Sequence, residues 1–226
     1  MIFLAVTMGF FAEQLRENFS QRSEEKEYIH SLYEDLSGDE VSLPGLLWWI
    51  QKDINLSDSL PQLLKNADLK TRANETYVDF RFLIRQIGIK IFVSERTISQ
   101  LKNTGQIRLI QSKIITDSIL DYYNKVEMIS SLQDYSLLQK GKLRSLYTPL
   151  LKSDDWDKII EKNTDNIVNP KEELHFRSVN PDVINEILLE VSNIKGIHNE
   201  LKQEVIALKN QATRLKKLIA EHYNVN

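Results

Sequence analysis

Residues 180–222 read NPDVINEILLEVSNIKGIHNELKQEVIALKNQATRLKKLIAEH, and this stretch decides the class of fold. Apolar residues recur in it at alternating spacings of three and four, which is the heptad pattern of a helix that packs against other helices. Asn180 can cap the first turn, and a proline at position 181 loses no hydrogen bond there. The stretch therefore predicts one long, coiled-coil-like helix over residues 180–226.

The residues of this repeat form what we call the helix-association seam. Its members are Ile184, Ile187, Val191, Ile194, His198, Leu201, Val205, Leu208, Leu215 and Ile219. β-Branched residues at one heptad position and Leu at the other favour a parallel two-stranded coil, so self-association is one interpretation. Neighbouring apolar residues such as Leu188 and Leu218 widen the stripe, so packing against helices of the same chain is the other. The sequence leaves both open.

The composition favours helices along the rest of the chain as well. Only 7 Gly and 5 Pro occur in 226 residues, and 42% of the residues are hydrophobic, which is enough to bury an ordinary core. We therefore expect an all-α protein, built as an elongated helical bundle.

The N-terminus is strongly apolar. Residues 1–12 read MIFLAVTMGFFA and are followed by Glu13. At 1.5 Å per residue this run covers about 18 Å, whereas a bilayer core is about 30 Å thick. We interpret it as the C-terminal part of a truncated transmembrane helix whose start lies upstream; a segment lying in the membrane interface is the alternative. The residues expected to contact lipid are Ile2, Phe3, Leu4, Val6, Phe10 and Phe11.

Two other interpretations of residues 1–12 compete with a membrane segment. A cleaved signal peptide needs a basic start, and no Lys or Arg precedes Arg16. A buried helix end of a soluble protein would need a polar face, and this run has none.

The charged segment that follows predicts a stalk. We expect the first helix to continue through a stalk over residues 13–37 and to end at Gly38, because glycine is favoured at helix C-termini. Ser42 and Pro44 predict the start of a second helix, which Pro61 kinks or ends.

The remaining segments predict a helical bundle body over residues 38–163 and a polar connector over 164–179. Within the body we expect helices over residues 76–87, 95–103 and 154–162, and a long one from Ser112. Ser94 is expected to cap the second of these and Gly105 to terminate it. The buried face of the long helix is predicted to be Ile115, Ile119, Tyr122, Val126, Ile129, Leu132 and Leu138.

The sequence contains no pattern typical of an active site. The 29 basic and 32 acidic residues give a net charge of -3, without the basic surface that binds a nucleic-acid backbone. There is no cysteine, no histidine pair at zinc-binding spacing and no glycine cluster for a phosphate. We predict a protein that is not an enzyme and that binds no cofactor, metal, nucleotide or nucleic acid.

One internal motif suggests a family. Residues 97–110 read TISQLKNTGQIRLI, and Ile119, Tyr122 and Tyr123 follow. This resembles the pattern T-x-x-x-L-x-x-[ST]-G-x-x-x-L-I, then I-x-x-Y-Y, of an uncharacterised Bacteroidota family of small single-pass membrane-anchored proteins. The passage from apolar residues into 13–18 is also similar. The resemblance implies a helical body outside the cytoplasm and no catalytic residues. Family members usually begin with a basic segment and a complete span, so we expect Met1 to be either a late start or the beginning of an ordered fragment.

These patterns together predict a function in the bacterial envelope. The chain is expected to be a single-pass protein of the inner membrane with its body in the periplasm, serving as a scaffold or accessory subunit. Its expected partners are the lipid bilayer and other envelope membrane proteins or a second copy of itself. The alternative is a sensory or ligand-binding module that signals through the first helix. A pocket for it could be lined by Trp48, Trp49, Tyr77, Phe80 and Phe82, although core packing explains these aromatics as well.

Overall fold

The structure is a computed structural model that describes residues 2–65, 72–84, 90–161 and 173–225. These residues form six α-helices, two short 3-10 helices and no strand, which confirms the all-α helical class. The α-helices are α1 (Ile2–Lys65), α2 (Ala73–Leu83), α3 (Arg96–Thr104), α4 (Lys113–Tyr147), α5 (Ser153–Glu161) and α6 (Pro181–Tyr223). The 3-10 helices are Gln106–Leu109 and Thr148–Leu150.

The first helix is much longer than the sequence predicts. α1 continues through Gly38, Pro44 and Pro61, so the predicted end at Gly38 and the predicted new start at Ser42 are wrong. The Ser42 hydroxyl donates to the carbonyl of Asp39, as expected inside a helix. The reason for the continuity is tertiary packing, because buried positions follow one another every three or four residues along the helix. They include Ile29, Leu32, Leu36, Asp39, Leu43, Leu46, Ile50, Asp53, Ser57 and Leu60.

The described chain divides into two compact units, each assembled from separate segments. Unit 1 comprises Met1–Pro44, Phe92–Glu127 and Ala207–Asn226, and unit 2 comprises Gly45–Ile91 and Met128–Ile206. This division differs in kind from the predicted succession of membrane segment, stalk, body, connector and C-terminal helix, which stays a prediction. Residues 85–89 and most of the predicted connector lie outside the described residues.

Unit 1 has an apolar core contributed by helices α1, α3, α4 and α6. Its buried residues include Ile29, Leu32, Leu36, Ile98, Leu101, Ile115, Ile119, Val126, Leu208, Ala212 and Ile219. The α1 segment before Glu24 takes no part in it, since every described side chain from Phe3 to Ser23 is exposed. Packing begins at Glu25, which is 5% exposed and accepts hydrogen bonds from the Gln111 amide and the Tyr223 hydroxyl.

Unit 2 has two neighbouring apolar clusters. The larger joins α1, α2, α4 and α6 through Leu60, Leu64, Phe80, Leu83, Leu143, Tyr147, Leu150, Ile187, Val191 and Ile194. The smaller contains Ala73, Tyr77, Ile159 and Leu174, so it fastens α5 and the chain after residue 173 to α2. Tyr147, Leu151 and Trp156 of these clusters also line the cavity described below.

The predicted buried face of α4 is correct over its first half and wrong over its second. Ile115, Ile119, Tyr122, Val126 and Ile129 are buried, but Leu132 is half-buried and Leu138 is 71% exposed. The helix also passes Gly141 without ending. The buried positions continue instead through Gln133, Ser136, Lys140 and Leu143. A pattern that counts only apolar residues therefore identifies the wrong side of α4 where the buried residues are polar.

The helix ends are predicted with mixed success. Gly105 ends α3 at a φ of 68°, as expected for glycine in the left-handed region. Asn180 caps α6, because its side chain accepts a hydrogen bond from the Asp182 amide at 2.9 Å. Ser94 does not cap α3; its hydroxyl donates to Asp35 at 2.7 Å instead.

Candidate functional sites

The residues predicted to contact lipid lie on the first turns of α1, where every described side chain is exposed. Phe3, Leu4 and Phe10 are 83%, 64% and 75% exposed, and Val6 and Phe11 are exposed as well. The side chain of Ile2 lies outside the described residues. No helix in the described part of the chain combines the length and the apolar content that crossing a bilayer requires.

The seam of α6 is buried inside its own chain. Within unit 2, Ile187, Val191, Ile194, Leu201 and Val205 have no exposed surface, and within unit 1 Leu208 and Ile219 have none either. Ile184, at the start of the seam, is half-buried against the larger cluster of unit 2. Of the two interpretations of the heptad pattern, packing within the chain is the one that the structure shows.

A polar cluster in unit 1 surrounds two carboxylates of α1, Asp35 and Asp39, which are 5% and 2% exposed. We call it the Asp35–Asp39 cluster. The Asp35 carboxylate accepts hydrogen bonds from the Ser94 hydroxyl at 2.7 Å, the Thr97 hydroxyl at 2.5 Å and the Thr97 amide at 3.3 Å. Because free amides at a helix N-terminus favour negative charge, Asp35 caps α3 from a neighbouring helix.

The second carboxylate of the cluster holds the segment before α3. Asp39 accepts from the Ser94 amide at 3.0 Å and from the Tyr122 hydroxyl at 2.8 Å, while the Tyr123 hydroxyl donates to the Ser94 carbonyl at 3.0 Å. Burial raises the pKa of Asp39, which the bonds from Ser94 and Tyr122 oppose. Burial also raises the pKa of Tyr122, so this hydroxyl stays a neutral donor at physiological pH.

The motif that carries the family resemblance coincides with this cluster. Thr97, Tyr122 and Tyr123 supply donors to it, and Leu101 is buried beside it in unit 1. The sequence predicts the end of a helix at Gly105 here, but it does not predict Asp35 and Asp39 as the acceptors. The signal that could have found them is their spacing of four residues, on the same stripe of α1 as Leu32 and Leu43.

Unit 2 contains a buried ion pair. The Lys140 ammonium lies 2.5 Å from Asp53 Oδ2, and the two side chains are 1% and 6% exposed. Burial lowers the pKa of Lys140 and raises that of Asp53, while their mutual attraction opposes both shifts. Neither residue is predicted from the sequence, because isolated charges on a helix are usually exposed.

His198 and Ser136 lie beside this pair. The Ser136 hydroxyl lies 2.9 Å from His198 Nε2, which is 3.8 Å from Asp53 Oδ2. Burial, with the charge of Lys140, lowers the pKa of His198 to about 3, so the ring is neutral at physiological pH. A catalytic triad needs serine and carboxylate on opposite ring nitrogens, whereas here both face Nε2. The arrangement fits a buried polar residue that fixes helix register.

The aromatic residues considered for a pocket lie in separate surroundings. Tyr77 and Phe80 have no exposed surface and stack on Phe176 and Tyr147 respectively. Trp48 is 58% exposed. Core packing therefore accounts for Tyr77 and Phe80. The largest cavity among those described lies elsewhere in unit 2, has a volume of about 770 Å³ and is lined by Tyr147 and Trp156.

The described residues contain no cluster of histidine and acidic side chains that could hold a metal ion. No protein-family model matches the chain, and neither a curated protein nor a solved structure is significantly similar to it.

Proposed function

We propose that the protein is a non-enzymatic, membrane-anchored scaffold or accessory subunit of a bacterial envelope assembly. In this proposal it is a single-pass protein of the inner membrane, and its helical body lies in the periplasm. The observation that carries the proposal is the exposure of large apolar side chains over more than half of the circumference of the first turns of α1, before the first charged residue, Glu13.

This exposure argues for lipid because of its angular distribution. Successive residues of a helix are about 100° apart, so the side chains at positions 3, 4, 6, 8, 10 and 11 cover more than half of the helix circumference. Gly9 and Ala12 lie on the remaining arc and add no polar side chain there. A helix at the surface of a water-soluble body has one apolar stripe and one polar face. Transfer of each large apolar side chain into hydrocarbon contributes about 1.5–3 kcal/mol, so several together hold the segment in a bilayer.

The partner-binding surface of such a scaffold lies outside the predicted seam, because the seam is already occupied by packing within the chain. The Asp35–Asp39 cluster and the Asp53–Lys140 pair fit a structural body, since their carboxylates are satisfied by neighbouring helices. Both features support a protein that works through binding surfaces rather than through bond-making.

Flotation with lipid vesicles tests the anchor. The full chain is expected to float with vesicles, and the variant Phe3→Glu/Phe10→Glu/Phe11→Glu is expected to remain in the aqueous fraction. The matched control replaces Val41, Trp48 and Phe92 with Glu, since these are 82%, 58% and 75% exposed, and it should still float. Flotation of both variants, or of neither, would contradict the anchor.

Native electrophoresis of mildly solubilised membranes tests the assembly. The full chain is expected to migrate with other envelope proteins in a complex much larger than its own 26.4 kDa. Migration as a detergent-bound monomer would contradict the scaffold, whatever the flotation result.

A second function is a ligand-binding or sensory module. The cavity of about 770 Å³ in unit 2 favours it, because ligand pockets commonly measure about 300–1,000 Å³.

A further inference from the structure

We propose that this cavity of unit 2 binds a small amphipathic anion, meaning a molecule with one carboxylate or phosphate group and a flat apolar body. The inference rests on the second function proposed above and is independent of membrane anchoring. We call the cavity the α4–α5 cavity, because it lies where α4 ends and α5 begins.

The first observation is the charge of the lining. Among the described residues that line the cavity, Arg144, Lys152 and Arg177 are basic and Asp154 alone is acidic. None of the three cations forms an ion pair with an acidic side chain in the described ranges, whereas Lys158 nearby pairs with Asp155. Unpaired cations that converge on one cavity attract an anion, and guanidinium groups bind carboxylate or phosphate through paired hydrogen bonds.

The second observation is that hydrogen bonds fix the backbone at two of the three basic residues. The Lys152 amide donates to the Tyr77 hydroxyl at 2.9 Å, and that hydroxyl donates to the His175 carbonyl at 2.9 Å. The Arg177 amide donates to the Leu150 carbonyl at 2.8 Å. These bonds join three separate stretches of chain, so the backbone positions that carry Lys152 and Arg177 are held together before any ligand arrives.

The third observation is a buried hydroxyl without an acceptor. Tyr147 is 1% exposed and lines the cavity, and no described group accepts a hydrogen bond from its hydroxyl. The Arg144 guanidinium lies beside this hydroxyl, and its charge and a hydrogen bond from it oppose the rise in the pKa of Tyr147 that burial causes. A buried hydroxyl that donates to no acceptor costs about 1–3 kcal/mol, and an anion beside Arg144 would supply the missing acceptor.

The remaining walls define the rest of the ligand. Leu151 and Trp156 are apolar wall residues, and Tyr147 itself stacks on Phe80 with ring centroids 4.1 Å apart. The start of α5 adds the positive end of a helix dipole through Ser153, which also lines the cavity. Aromatic walls beside a cationic end fit a flat apolar body that carries a single negative group.

The test measures binding of 2-naphthoate to the full chain in a neutral detergent by titration calorimetry, with the neutral 2-naphthamide as the matched ligand. We expect 2-naphthoate to bind at least about tenfold more tightly, since only the anion forms charge-assisted hydrogen bonds. Equal binding of the two ligands, or no saturable binding of 2-naphthoate, would overturn the proposal.

Three variants localise the binding. Arg144→Gln/Arg177→Gln is expected to weaken 2-naphthoate binding by about tenfold or more, and Arg214→Gln, an exposed arginine of unit 1, is expected to leave it unchanged. Tyr147→Phe should weaken binding several-fold without lowering the unfolding temperature, a combination that a purely structural tyrosine would not give. Unchanged affinity in both cavity variants would refute the site, and it would leave the flotation result of the anchor untouched.

A competition arm distinguishes a soluble ligand from a lipid headgroup. We expect 2-naphthoate to remain bound in the presence of short-chain phosphatidylglycerol. Displacement by phosphatidylglycerol but not by phosphatidylcholine would assign the same anion subsite to a lipid headgroup, whereas equal displacement by both lipids would refute charge recognition.

Discussion

Lys140 and Asp53 place two opposite charges inside unit 2 at a distance of 2.5 Å. Removal of one member of a buried pair leaves the other charge uncompensated, which costs about 3–5 kcal/mol. We therefore expect Lys140→Met to lower the free energy of unfolding by about that amount, as measured by urea denaturation. The double variant Asp53→Leu/Lys140→Met should recover most of the loss. A double variant as unstable as the single one would contradict this account of the pair.

His198 makes stability depend on pH in a defined window. Its pKa falls from 6.5 in the unfolded chain to about 3 in the folded one, so between these values the unfolded chain binds the additional proton. Its contribution to stability is complete above about pH 6.5 and is lost progressively as the pH falls toward 3.

The variant His198→Leu tests this window. Urea denaturation between pH 7 and pH 4 is expected to show a smaller loss of stability in the variant than in the unaltered chain. His222→Gln, an exposed histidine on the same helix, serves as the control and should follow the unaltered chain. Identical pH profiles for all three proteins would show that His198 does not titrate in this way.

The sequence-based prediction of the core fails where buried side chains are polar. An apolar repeat assigns Leu138 to the core of α4, because the residues that are buried there, Ser136 and Lys140, are polar. Only the matching partners on α1 and α6 make those polar positions stable, and a single helix pattern contains no information about them. His198 is the exception, because the seam itself places it in the core.

Replacement of two glycines by alanine is expected to change the free energy of unfolding in opposite directions, because one glycine ends a helix and the other lies inside one. Gly105 has a φ of 68°, so Gly105→Ala is expected to lower the free energy of unfolding by about 1 kcal/mol. Gly141 lies inside α4 with open space around it, so Gly141→Ala should raise the free energy of unfolding by about 0.5–1 kcal/mol. Thermal denaturation of both variants checks the pair, and changes of the same sign would contradict the assigned conformations.

The N-terminus of α3 depends on a residue that lies far away in the sequence. Asp35→Asn keeps the shape of the acceptor but removes its charge, so we expect about 1–2 kcal/mol less protection of the α3 amides in hydrogen exchange. Glu34→Gln, an exposed neighbour on α1, is the control. Equal exchange in the two variants would show that Asp35 does not stabilise α3.

The course of α1 shows where residues that usually end a helix fail to end it. Glycine and proline usually end helices, and a proline inside one costs about 3 kcal/mol. α1 nevertheless continues past Pro44 and Pro61, because its buried stripe runs on through both. Local signals succeed at Gly105 and Asn180, where no longer stripe competes with them.

For the whole molecule, the sequence predicts the all-α class and the long C-terminal helix correctly. It does not predict whether the seam faces its own chain or a partner, since the same heptad pattern serves both arrangements. The α4–α5 cavity is not predicted either, because Arg144, Lys152 and Arg177 come together only through the fold.

We propose that the exposed apolar turns of α1 lie in hydrocarbon while the rest of the chain faces water. The chain contains no cysteine, so a single one can be introduced and labelled with an environment-sensitive fluorophore. Phe10 and Phe92 form a matched pair of positions, since both are 75% exposed. In vesicles, a label at Phe10→Cys should be quenched by lipid-attached quenchers and protected from iodide, and a label at Phe92→Cys should show the reverse. Quenching of both labels by iodide alone would contradict the account.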